Sequence, residues 1–284
     1  MSLGIVNNFK SGARELVASI DDLREDEPGR WSSRRHFEFN AAHPRLDGGE
    51  LLAHAIWIAE ASDPDRHTLA INAWFPREGN VETPVEHEVD VLHAGRSLAF
   101  STVISRQTGR GVVGHAQVVA TGSLDGLSEQ PLDLPAVDWA GARPDPGMLY
   151  MFDPTCSVVG DLGLGDDDIG EALVDVTMPF PDGLPDGALR RAYVGYTTDH
   201  LMMAPALRPF EWLGYRTKSA YFTAVIGHSL RFWTDRLDVS ELRFRITSPT
   251  VANGVGITVG QGFDPDGNLL VTCTQDLFIR EVPQ

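Results

Sequence analysis

HPRLDGGELLAHAIWIAEAS, residues 43–62, reads as one long helix entered through a tight turn. Asp47, Gly48 and Gly49 let the backbone reverse sharply. Leu51, Leu52, Ala55, Ile58 and Ala59 then recur at helical spacing and predict a helix with one buried face. Asp63-Pro64-Asp65 ends it. Ahead of it, residues 1–30 hold an amphipathic helix candidate that runs into an acidic segment, and residues 31–39 (WSSRRHFEF) read as a strand. Behind it, TLAINAWFP, EHEVDVLHAG, SLAFSTVISRQ and GVVGHAQVVATGS read as strands joined by Gly- and Pro-bearing connections.

A helix followed by a run of antiparallel strands is an α+β arrangement, and one helix cradled by such a curved sheet is the hotdog shape. The second half repeats the order. ALVDVTMP (172–179) predicts a strand, the region 193–213 a helix, and two further strands cover 221–233 and 269–280. One spacing accompanies this order: Gly109 precedes Gln117 by eight residues and Gly267 precedes Gln275 by eight. Internal duplication follows, with two hotdogs pairing their sheets side by side as a pseudo-dimer in one chain. The expected organisation is an N-terminal hotdog over 1–124, a Pro- and Gly-rich connection over 125–170, and a C-terminal hotdog over 171–284.

The composition narrows the function. A formal net charge of −17 argues against nucleic acid, whose affinity rests on cationic side chains, and against an anionic membrane surface. No apolar run approaches a membrane span, and the N-terminus lacks the order of a signal peptide, so the cytoplasm is the expected location. The two cysteines, Cys156 and Cys273, make neither a disulfide framework nor a zinc knuckle, and read as buried thiols. His43, His200 and His228 show no metal-ligand spacing, no phosphate-binding Gly loop is present, and neither a metal nor a cofactor is expected.

The chemistry concentrates in YVGYTTDHLMMAPALRPFEWL, residues 193–213. Tyr193 to Tyr196 are apolar and β-prone and predict the end of a strand, with Thr197 or Thr198 capping a helix and Asp199 in its first turn. An acid there and the amide of Gln275, on an otherwise apolar strand, together suit the polarisation of a carbonyl. Each also has a structural reading, as a helix-dipole partner and as a seam hydrogen bond.

Over residues 35–280 the chain resembles the acyl-CoA thioesterase II (medium-chain acyl-CoA thioesterase) family. The residues that carry the resemblance are Gly48-Gly49, Trp74 to Gly79 and Gly95 to Ala99 in the first half. In the second half they are Gly195 to Asp199, Ala204 to Arg208, Ile226 to Phe232 and Thr274 to Asp276. The resemblance implies a double hotdog that hydrolyses acyl-CoA in fatty acid metabolism, with an Asp, a Gln and a Thr or Ser around the thioester. Asp199 and Gln275 match that set. The hydroxyl position falls on Val225, the acid that follows it on Gly227, and an aromatic-His-Arg-Pro run reads Trp233-Thr234-Asp235-Arg236.

The expected catalytic set is therefore Asp199 and Gln275 activating water, with Thr223, two residues from Val225 on the same strand face, as a substitute hydroxyl. Glu50, His54, His200 and Val225 are the expected substrate-contacting residues. Glu50 stands where other hotdog thioesterases place a catalytic carboxylate. Acyl-CoA is the expected partner, and the resemblance implies a homo-oligomer. Two alternatives stay open: a hydratase-type acyl-thioester enzyme working through Glu50 and His54, and a non-catalytic acyl-CoA-binding protein, to which Val225 points.

Overall fold

The computed structural model describes residues 11–34, 36, 45–122, 128–143, 156–159, 171–207 and 221–281. His43, Arg208 and most of residues 34–39 lie outside these. The first half contributes helix α1 (Ser11–Asp22), strands β1 (Arg24–Glu27) and β2 (Arg30–Ser33), helix α2 (Gly48–Ser62), and strands β3 (His67–Trp74), β4 (Val85–Ala94), β5 (Leu98–Gln107) and β6 (Gly111–Thr121). The second contributes β7 (Ser157–Val159), β8 (Leu173–Pro179), helices α3 (Ala188–Leu201) and α4 (Met203–Leu207), β9 (Tyr221–Phe232), β10 (Glu241–Ala252), β11 (Val255–Phe263) and β12 (Leu269–Glu281).

All the strands join one antiparallel sheet in the order β1-β2-β4-β5-β6-β3-β9-β12-β11-β10-β8-β7. Read outward from its centre, this order is the same on both sides: β3 answers β9, β6 answers β12, β5 answers β11 and β4 answers β10. That symmetry is the double hotdog, the fold expected from the sequence. The seam is the β3–β9 pair, with Ala70 opposite Arg231, Asn72 opposite Ser229 and Trp74 opposite Gly227. Within the stretch read as a connection, Ser157–Val159 pairs with β8 and extends the second half's edge.

Helices α2 and α3 lie against each other. They are antiparallel, since Gly49 at the start of α2 meets Tyr196 and Asp199 near the end of α3, while Glu60 near the end of α2 meets Arg191 near the start of α3. Two glycines allow the approach. A Cβ on Gly49 would stand 2.7 Å from the Tyr196 main-chain oxygen, and one on Gly195 would stand 2.9 Å from Ile56 Cδ1. Because α2 is enclosed by both the sheet and α3, every residue from Gly49 to Glu60 except Trp57 is buried. The single buried face expected of it is thus corrected to burial nearly all round, the condition of a helix without a polar side.

Two further expectations change. Tyr193 to Tyr196 do not leave a sheet: α3 starts at Ala188 behind Gly187, and Asp199 lies in its last turn, not its first. The apolar run is the middle of a helix buried on all sides. Gln117 and Gln275, although matched in spacing, face opposite ways, Gln117 exposed and Gln275 buried. Side chains alternate along a strand and a one-residue register break reverses their faces; β6 carries an extra residue opposite Ser105/Arg106 and β12 one opposite Gly262/Phe263, so equal spacing from a turn does not mark equivalent positions. The duplication is written in strand order, not in those glutamines. Both cysteines are buried, and burial pushes the Cys273 thiol up to about 12. Among the described residues no helix is long and apolar enough to cross a membrane.

Candidate active site

Asp199 in the last turn of α3 and Gln275 in the middle of β12 come together, as the sequence suggested. The Gln275 Nε2 donates to the Asp199 main-chain oxygen at 2.6 Å and to its carboxylate Oδ1 at 3.2 Å. Since a carbonyl can only accept, this assigns the amide's orientation and turns Gln275 Oε1 away from Asp199. That oxygen is buried and has no hydrogen-bond partner among the described residues. Gln275 also approaches His228 Nδ1 at 3.3 Å.

His228, on β9 directly opposite Gln275, is held by Thr198. The Thr198 hydroxyl donates to the Val194 main-chain oxygen at 2.7 Å, so it accepts from His228 Nε2 at 3.1 Å. The remaining nitrogen, Nδ1, is then an acceptor facing Gln275. Burial, helped by the nearby charge of His200, pushes His228 down to about 3, so the ring is neutral.

The start of α2 closes the site. The Asp47 carboxylate caps that helix by accepting from Glu50 N at 3.0 Å, and Asp199 Oδ2 lies 3.2 Å from the place a Cβ on Gly48 would occupy, beside the Phe75 ring. A side chain there would crowd both. Asp199 therefore does sit at a positive helix end, but that of the facing helix, and it receives a hydrogen bond from the Gly49 N–H. Burial nonetheless dominates and raises its carboxyl to about 7, with Asp47 adding to the rise and His200, Gln275 and Gly49 opposing it.

His200 Nε2 stands 3.3 Å from Asp47 Oδ1. Burial would lower the imidazole, but Asp47, by charge and hydrogen bond, and Asp199 outweigh it and raise it above its ordinary value. Asp47 mirrors this: burial would raise it, and His200 with the N–H groups of Glu50 and Gly49 holds it below its ordinary value. Asp47, Asp199 and His200 each bring one donor atom within 4.8 Å of the others. Among the described residues this is the one group tight enough to be compared with a metal centre, and the opposed charges of Asp47 and His200 account for it without an ion. Sequence spacing could not show it.

The other expected residues fall elsewhere. Val225 packs into an apolar cluster with Ala206, Leu207, Leu277 and Ile279, and Thr223, two residues before it on β9, stands opposite Ile279 of β12, farther from the Gln275–His228 pair. Glu50 and His54 are completely buried. Glu50 meets His36 Nδ1 at 3.2 Å and His54 Nε2 at 3.7 Å, and His54 also approaches Ser19 at 3.2 Å and lies edge-on to His87. Asp47, Thr198 and His228 were not singled out as site residues. The Asp before Gly48-Gly49 carried the signal of a helix cap, but nothing in the sequence linked it to His200.

At the opposite end of the helix pair, Glu60 is third from the end of α2 as Asp199 is third from the end of α3. It makes a two-pronged ion pair with Arg191 at 2.7 Å on both arms. A cavity of about 420 Å³ opens beside it, lined by Trp57, Arg66, His67 and Asp235 among others.

Comparison with known proteins agrees with this architecture. Residues 38–123 match the acyl-CoA thioesterase N-terminal domain family. Human acyl-coenzyme A thioesterase 8 is 23% identical over 94% of this chain and 89% of its own length, and the mouse protein of that name is 24% identical over 95% and 90%. Along nearly its whole length the chain is similar to acyl-CoA thioesterases. Family likeness extends to the fold: the tesB protein of Mycobacterium avium subspecies paratuberculosis superposes with a TM-score of 0.74 at 20% identity, covering 95% of this chain and all of its own. Acyl-CoA thioesterase II TesB2 of Mycobacterium marinum gives 0.71 at 20% identity, covering 95% and 98%.

Proposed function

We propose that the protein hydrolyses acyl-CoA thioesters with water held between the Asp199 carboxylate and the Gln275 amide. The observation that carries the reading is the direct Gln275–Asp199 hydrogen bond, which leaves a buried amide oxygen free to accept from water. A buried polar atom without a partner is costly, and a bound water is the ordinary remedy. Asp199, at about 7, is close to the ideal for a base working near neutrality. It takes a proton as the water oxygen bonds to the thioester carbon. Collapse then breaks the carbon–sulfur bond, and the departing CoA thiolate recovers the proton from Asp199. The positive dipole end of α2, beside Asp199, suits the developing oxyanion.

A second reading, an acyl-CoA-binding protein, draws on Val225, whose apolar packing leaves no hydroxyl at the position where the family has one. A panel of acyl-CoA substrates with a thiol reagent separates the two readings. Release of CoA that Asp199→Asn abolishes supports hydrolysis, whereas tight binding without release supports the binder.

A further inference from the structure

Asp47 and His200 lie outside the water-activating pair, yet both are packed against it. Capping α2 requires of Asp47 only a short polar acceptor, and uncharged residues serve as well. The same Oδ1 that caps α2 instead also stands 3.3 Å from His200 Nε2, and the imidazole lies within 4.8 Å of the Asp199 carboxylate. A ring able to carry a proton is thus set between the buried Asp199 carboxylate and the half-buried Asp47 carboxylate.

We propose that His200, held as an imidazolium by Asp47, keeps the Asp199 carboxylate ionised and aimed, and that Asp47 is a positioning residue acting through His200. This rests on the reading of Asp199 as the base and takes it further, placing a cation beside the base in a chain that has Val225 where the family has a hydroxyl. Other groups facing the pair do not supply that charge. From β9 comes neutral His228, 3.8 Å from Asp199 Oδ1; from β12 comes the uncharged Gln275; from α3 itself comes Tyr196, its ring edge-on to His200 at 5.1 Å. From α2 come Asp47 and the Gly49 N–H, while the Glu50 carboxylate is turned to His36 and His54. Among the described residues His200 is the one cation facing Asp199. The directions of titration agree, His200 being raised by Asp47 and in turn opposing the rise of Asp199.

The test uses the full chain with His200→Gln and Asp47→Ser, the latter keeping a side-chain cap on α2 while removing the charge. The midpoint of the Asp199 carboxyl, followed by carbon-13 NMR, is expected to rise by about one pH unit in His200→Gln, a tenfold shift in its ionisation. In Asp47→Ser the His200 ring, followed by nitrogen-15 NMR, is expected to titrate about one unit lower. The acid limb of the kcat/KM profile for CoA release should move upward with the Asp199 midpoint. An Asp199 midpoint unmoved in His200→Gln, or a His200 midpoint unmoved in Asp47→Ser, overturns the proposal. The NMR titrations need no turnover, so a wild-type protein that releases no CoA sinks the hydrolase reading while the fate of the Asp47–His200 pair is still decided by its own midpoints.

Discussion

The side-chain amide of Gln275 donates both to the main-chain oxygen of Asp199, at 2.6 Å, and to its carboxylate, at 3.2 Å. One group thus closes the final turn of α3 and orients the acid in that turn. Gln275→Ala should therefore lower kcat by about a hundredfold or more, and should also lower stability by about 1–3 kcal/mol because a buried carbonyl loses its donor. Steady-state kinetics with chemical denaturation measures both. A loss of stability with normal kcat would assign Gln275 to the helix end alone.

The pH dependence of turnover follows from Asp199. With its carboxyl at about 7, kcat/KM should rise with pH through that region and level off above it, as the base form accumulates. The check is a rate profile for CoA release in a buffer series of constant ionic strength. A profile already flat at pH about 5 would mean an ordinary carboxylate.

Stability should fall on acidification. Burial holds His87 and His228 down at about 3 and His54 well below its ordinary value, so the folded chain refuses protons that the unfolded chain takes up below about 6.5. Each such histidine costs about 1.4 kcal/mol per pH unit below that point. Asp199 works in the opposite sense, since its raised carboxyl makes the folded state the better proton binder between its ordinary value and about 7. His67 is lowered in the same sense and His200, being raised, is protonated in both states below about 6.5, so four histidines against one acid leave a net loss as pH drops. His87→Phe should flatten the decline in melting temperature between pH about 6 and 4.

The helix crossing gives a graded pair of substitutions. Gly49→Ala places its methyl 2.7 Å from a main-chain oxygen that cannot move aside, and also 3.2 Å from Asp199 Cβ. It should cost about 1–3 kcal/mol and most of the activity. Gly195→Ala meets the tip of Ile56, which can rotate, and should be milder. Melting curves and rates for the two variants provide the comparison. Equal effects would show that the crossing does not depend on backbone contact at Gly49.

At the far end of the helix pair, Arg191→Met strands the Glu60 carboxylate in the interior and should destabilise by about 3–5 kcal/mol, whereas Glu60→Leu with Arg191→Met should recover much of that. A double-mutant cycle by denaturant unfolding reads the coupling. The single and double variants being alike would mean that water solvates the pair.

The sheet was legible because its strands are long, alternating and separated by glycine-bearing turns; Gly109 and Gly267 both take the positive φ that such turns require. Helix α3 was misplaced for a physical reason. Buried between α2 and the sheet, it has no polar side to give it a period, and Tyr193 to Tyr196 look the same in a strand or in an enclosed helix. Asp199 and Gln275 could be paired in advance through the resemblance. The Asp47–His200 contact spans the seam between halves, and local spacing carries no trace of it. Glu50 was read as a site acid because other hotdog thioesterases place a catalytic carboxylate at that position; in this fold its carboxylate faces His36 and His54 inside the first half.

Joining the two halves in one chain has an outcome that a dimer of identical subunits could not reach. In such a dimer any substitution is made twice, so the two ends of the helix pair must stay alike. Here Asp199 and Glu60 occupy matching places and have parted ways, one beside an amide and a histidine, the other locked to Arg191. The covalent link frees one end to specialise as a fastening while the other keeps its chemistry.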